Sequence, residues 1–230
     1  MIPPFRHKKP VPPPADPNDW RPQRFGGNYR SIRDAIVEPS WGGVRVLARY
    51  DGGVTLLADE EGVDCTAEFG AVAEAIAAGA RAGDLILDGF LTVEATQIVA
   101  GRPLVEIETP GRGQIMTQWI LGNRIGPTPA TPRPQLDPDR PIAFVAVDLL
   151  RIDGTSLLDV PLLERKRLLD GSLAQGEYVR ITPYVRPPIG NFLATWRGMG
   201  FTELAYKAAN GRYTPDLNNE TWSLVAIPMK

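Results

Sequence analysis

The sequence predicts an α+β fold built mostly from antiparallel sheets. Two observations carry this expectation. Strand-like and helix-like stretches do not alternate strictly, as they would in a doubly wound parallel fold. Two strand-like runs also meet directly at Asp51–Gly52–Gly53, a strong tight-turn signal. The chain has 230 residues, 43% of them hydrophobic. That suits one domain with a sizeable core and a long arm.

Residues 1–24 are rich in proline and polar groups. They predict an extended, partly polyproline II arm, disordered by composition or pinned by Trp20. A proline motif for a partner is the sharper reading of the same stretch. The arm holds the one histidine, His7, read as a solvated side chain. The single domain then runs over 25–230.

Its elements follow in order. In the run 42–62, Val44, Val46 and Ala48 alternate with Arg45, Leu47 and Arg49, giving two strands around a turn. Phe69, Val72, Ala73 and Ile76 have helical spacing within 66–83, which closes in glycine. Strand character returns over 84–95. Residues 95–140 read as irregular, with a strand or helix at 113–124 and a proline-rich loop over 126–141. The apolar run 142–154 predicts a buried strand and a turn. Residues 161–173 predict a helix with proline at its start and glycine near its end. A strand at 178–185, a short helix at 189–200 and closing strands at 202–213 and 221–230 complete the chain.

Several function classes are disfavoured at this level. No apolar run approaches the roughly 20 residues that span a bilayer, and the basic N-terminus lacks the apolar stretch of a secretory signal. One cysteine, Cys65, excludes an internal disulfide and argues against a cysteine-based metal site; it reads as a small buried residue. A cytoplasmic location is the default. The net charge of −2 lowers the expectation of strong DNA binding. The central chain shows no paired carboxylates beside a histidine, no glycine-rich phosphate loop and no metal-ligand spacing. Amine nucleophiles must be lysines, because arginine stays protonated. The lysines are Lys8, Lys9, Lys166, Lys207 and Lys230.

Five segments then share an order with a known family. They are "EPSWGGVR" from Glu38, "LILDGFL" from Leu85, "VAVDLLRIDGTSLLDVPLLERKRLL" from Val145, "GFTELAYK" from Gly200 and "TWSLVAIP" from Thr221. Together they resemble the adenylation domain of ATP-dependent DNA ligases, within the covalent nucleotidyltransferases that include mRNA capping enzymes. The resemblance covers about residues 36–227. It implies mostly antiparallel sheets flanked by helices around a nucleotide cleft. It also implies a lysine that attacks the α-phosphate of ATP, with carboxylates for a divalent ion. Family ligases carry an OB-fold after this domain, and this chain is too short to hold one.

Residue by residue, the resemblance is incomplete. Ser40 occupies the nucleophilic lysine position, Gly42 that of the first-motif aspartate, and Phe90 that of the third-motif glutamate. Val147 replaces an aromatic and Thr202 a glutamate. Leu224 and Ala226 replace two lysines. Glu38, Gly43, Arg45, Asp88, Gly89, Asp148 and Lys207 are kept. Gly43 and Gly89 are expected in turns, and Asp88 and Asp148 are expected to tie turns. Arg45 is expected to form an ion pair and Lys207 to lie partly exposed on an edge strand. Trp41, Trp119, Trp196 and Trp222 are expected in the core.

The resemblance therefore implies a vestigial nucleotide cleft lined by Glu38, Ser40, Gly42, Arg45, Phe90, Val147, Thr202, Lys207, Leu224 and Ala226, with no catalytic residue and no metal. ATP and magnesium enter only if Lys207 is a relocated nucleophile or a partner supplies the missing groups. The expected roles are binding a protein partner in DNA repair, weak DNA binding, or sensing a nucleotide, without a membrane.

Overall fold

The structure, a computed structural model, describes residues 12–92, 142–199 and 201–228. His7, Trp119 and the segments expected over 95–140 and 126–141 lie outside the described residues.

The expected hairpin forms from β3 (Val44–Asp51) and β4 (Val54–Asp59), turning at Gly52 and Gly53 with positive φ. Helix α1 (Gly70–Gly79) follows, then β5 (Asp84–Thr92) and β6 (Ala143–Ile152). With β7 (Thr155–Ser156) and β8 (Val179–Ile181) these strands make a six-stranded sheet. Its order is β4-β3-β5-β6-β7, with β8 running parallel to β6 and every other pairing antiparallel. A second sheet joins β2 (Ala35–Pro39), β9 (Glu203–Ala208) and β11 (Trp222–Ala226), all antiparallel, with β9 in the middle. Two-residue strands β1 (Arg24–Phe25) and β10 (Asn218–Asn219) pair in parallel. Helices α2 (Leu162–Ser172) and α3 (Gly190–Gly198) complete the fold.

The larger sheet is buried on both faces, which explains why β6 reads as one apolar run. On one face Val46 and Ala48 pack with Phe69, Val72 and Ile76 of α1 and its N-cap, together with Leu85, Leu87, Phe144 and Leu169. On the other, Leu47, Ile86 and Leu150 meet Ile36 and Trp222 of the smaller sheet. The alternation along β3 thus sorts residues between two cores rather than between core and solvent.

The arm is pinned by Trp20, one of the two readings of its composition. Trp20 joins the second of these cores and donates from Nε1 to the Pro14 carbonyl at 3.0 Å. Arg49 Nη2 donates to the carbonyls of Asn18 and Trp20. One buried ring outweighs the polar composition around it, because its burial offsets the ordering cost of its neighbours. Among the described residues no helix is long and apolar enough to cross a membrane.

Candidate functional site

A narrow cleft opens where the two sheets face each other. Glu38, Pro39, Ser40 and Trp41 line it from the end of β2, and Arg45 and Phe90 from β3 and β5. Val147 of β6, Ala205 and Lys207 of β9, Trp222 of β11 and Phe25 of β1 close it. The cleft offers about 10 Å³, the space of about one water molecule.

The structure therefore brings together Glu38, Ser40, Arg45, Phe90, Val147 and Lys207. Gly42, Thr202, Leu224 and Ala226 do not line the cleft. Thr202 and Ala226 are exposed, and the other two are half-buried.

Behind the cleft lie three buried ion-pair systems among the described residues. Arg45 grips Asp88 with two bonds, Nε to Oδ1 at 3.0 Å and Nη2 to Oδ2 at 2.7 Å. Burial opposes the Arg45 charge, but the Asp88 carboxylate overrides it and holds the guanidinium above its ordinary range. The Tyr213 hydroxyl donates to Asp88 Oδ2 at 2.8 Å. Burial, then the Asp88 charge, raises Tyr213 well above the usual phenol range. Arg165 of α2 holds Asp148 in the same two-bond manner, at 2.8 and 2.7 Å.

The third system has two cations on one carboxylate. Lys207 Nζ lies 2.6 Å from Glu38 Oε2, and Lys166 Nζ lies 2.5 Å from Glu38 Oε1. All three side chains are at most 2% exposed. The Lys207 ammonium also sits 3.9 Å from the centre of the Trp222 ring, a cation–π contact. Burial and the second ammonium pull Lys207 below the ordinary lysine range, against the pull of Glu38.

Several expectations are corrected here. Lys207 is not an exposed edge lysine, because β9 is the central strand of its sheet. Asp88 and Asp148 lie inside β5 and β6 as ion-pair acceptors rather than turn ties. Gly43 does sit in a loop with φ +106, and a Cβ there would lie 2.0 Å from the Leu91 carbonyl oxygen. Gly89 makes no turn. It lies in β5 beside a register shift, where a Cβ would meet the Phe144 ring at 2.4 Å. Arg45 forms its expected ion pair, with Asp88 as partner. Trp41, Trp196 and Trp222 are buried, though Trp41 and Trp222 also wall the cleft.

Sequence reasoning missed Lys166, Arg165, Gln23 and Phe25 as parts of the site. A signal existed for the first two. Leu162, Arg165, Lys166 and Leu169 are spaced as one face of a helix, so two cations share the inward stripe. Such cations require buried carboxylates as partners. Nothing local marks Gln23 or Phe25, whose partners lie about 190 residues away at Tyr213, Thr214 and Trp222.

Chemically, the cleft offers aromatic walls and charges already engaged with one another. Ser40 is half-buried, and its backbone N–H donates to the Glu203 carbonyl at 3.0 Å. The histidine that would serve it as a base is not among the described residues. No group of three His, Cys, Asp or Glu side chains among the described residues is placed to hold a metal ion.

No protein-family model matches the chain. A probable DNA ligase of Streptomyces coelicolor is 30% identical over 195 residues, covering 82% of this chain and 34% of that protein. The chain thus spans about a third of the length of this curated relative. The ligase domain of LigD from M. tuberculosis superposes with a TM-score of 0.61 at 21% identity, over 92% of this chain and 60% of that one. A mycobacterial DNA ligase D complexed with ATP and MES gives 0.59 at 20% identity, over 91% and 60%.

Proposed function

The chain has the fold of the DNA ligase adenylation domain, and from that premise we propose that it is a non-catalytic member of that fold which acts by binding. The observation that carries this reading is the state of the lysines. Ser40 stands where the resemblance implies the nucleophile, while the lysine nearest to it in the cleft, Lys207, is held by Glu38 and covered by Trp222. A nucleophilic amine must present a free lone pair to the α-phosphate. Lys207 instead points its ammonium at a carboxylate.

The residues present do not fit ATP and a divalent ion. The cleft has room for about one water, and its carboxylates, Glu38 and the neighbouring Asp88, already neutralise lysine or arginine. Burying a triphosphate without free cations is costly. The retained use in this reading is recognition of a protein partner in DNA repair, with weak DNA binding set by the net charge of −2.

One observation favours a second reading, an enzyme with Lys207 as relocated nucleophile. Burial lowers Lys207 below the ordinary lysine range, as an amine nucleophile needs. Nick sealing separates the two readings. Purified protein with ATP, magnesium and a nicked duplex should leave the nick open. Sealing that disappears on Lys207→Ala would establish the enzyme.

A further inference from the structure

We infer that the strap Gln23–Gly27 is a built-in plug of the cleft, with Phe25 as its stopper. The strap is fixed at both ends and inserted in the middle. At one end Gln23 is fully buried. Its carbonyl accepts from Arg45 Nη1 at 2.7 Å, and its N–H donates to the Tyr213 hydroxyl at 3.1 Å. Its Oε1 accepts from the Thr214 N–H and from Asn219 Nδ2, both at 2.8 Å. At the other end the Gly27 N–H donates to the Trp222 carbonyl at 2.8 Å.

Between these anchors Phe25 turns into the cleft. Its ring lies 5.4 Å from that of Trp222 and 5.9 Å from the Arg45 guanidinium carbon. Phe90 and Trp222 approach the same carbon at 5.8 and 6.0 Å. Three rings therefore surround one cation, and Phe25 is the only one of them supplied from outside the two larger sheets. It is half-buried and lines the cleft. The middle segment is held by two backbone bonds, the Arg24 N–H to the Leu217 carbonyl at 2.9 Å and the Gly26 N–H to the Asn219 carbonyl at 3.1 Å, and its other ties are weak. The Arg24–Asp216 pair is 63% and 56% exposed, and β1 pairs over two residues only. Turning the Phe25 ring out of the cleft gives up its packing on Trp222 and its approach to Arg45, while the strap's backbone bonds stay in place. The space it leaves is bounded by Trp222, Phe90 and Arg45, with Lys207 beyond. With Arg45 and Lys207 already paired to carboxylates, it suits an uncharged planar aromatic ring such as a nucleobase.

The inference stands apart from the question of catalysis, since a plug closes the cleft whether or not adenylyl transfer follows. The test is calorimetric titration of the wild-type chain and Phe25→Ala with adenosine, which carries the planar ring without phosphate charge. The variant should bind at least about tenfold more tightly, the factor expected if the closed strap leaves under a tenth of the molecules open. Equal affinity in the two proteins, or no binding by either, overturns the plug. If Phe25→Ala does not give a folded protein by urea titration, Phe25→Leu decides. It keeps an apolar contact with Trp222 but removes the ring, so it should also bind more tightly than wild type, and unchanged affinity overturns the plug. An AMP adduct would refute the non-catalytic reading without touching this one.

Discussion

Glu38 is the residue on which most depends, because its carboxylate is within ion-pair distance of both Lys166 and Lys207. Glu38→Ala leaves two ammonium groups buried side by side. It should cost about 3–5 kcal/mol, the usual range for breaking a buried ion pair from one side, measured as the loss in urea-unfolding free energy. Lys207→Met should cost much less, since Glu38 keeps Lys166 and the stem volume is retained. The same lysine predicts a pH effect. Its folded pKa lies below its unfolded value because of burial. Between the two values the unfolded chain binds more protons, so stability rises with pH across that window and the Lys207 penalty is fully present below it. Wild type should therefore gain stability on approaching the ordinary lysine pKa, and Lys207→Met should gain less over the same range. An equal gain in both proteins would contradict the assignment.

At the scale of elements, the hairpin and the loop before it respond differently to the same change. Gly43→Ala meets the Leu91 carbonyl oxygen at 2.0 Å in a left-handed conformation, whereas Gly52, also left-handed, has nothing within 4 Å. Gly43→Ala should cost more than about 2 kcal/mol and Gly52→Ala about 1 kcal/mol, read as thermal midpoints. The turn at Gly52 was legible because its signal is local. Helices α1 and α2 and strands β3 to β6 were legible for the same reason. What was illegible is mostly non-local. Strand β2 has no sequence signal of its own, because Glu38 and Pro39 interrupt its apolar run, and it exists because β9 pairs with it. The central position of β9, which turns Lys207 from an exposed lysine into a buried one, depends on strands on both sides. The pairing of β1 with β10 spans about 190 residues and has no local cue.

For the whole molecule, the resemblance implied mostly antiparallel sheets around a cleft, and a cleft is present. Six of its ten expected residues line it. The other four fall outside because motif spacing fixes strand position but not how far a side chain stands from the cleft floor. The narrowness was not legible, since Phe25 is brought to the cleft by the two-residue strand β1, which has no local cue. The ion-pair systems behind the cleft make a second global statement. Asp88→Ala would strand Arg45 and the Tyr213 hydroxyl together, and should destabilise the fold by about 3–5 kcal/mol in urea unfolding. The kept Asp88 would then have a structural role. The most direct measurement is intact-protein mass spectrometry after incubation with ATP and magnesium. The account predicts an unshifted mass. A covalent AMP adduct on the wild-type chain that is lost in Lys207→Ala would contradict it.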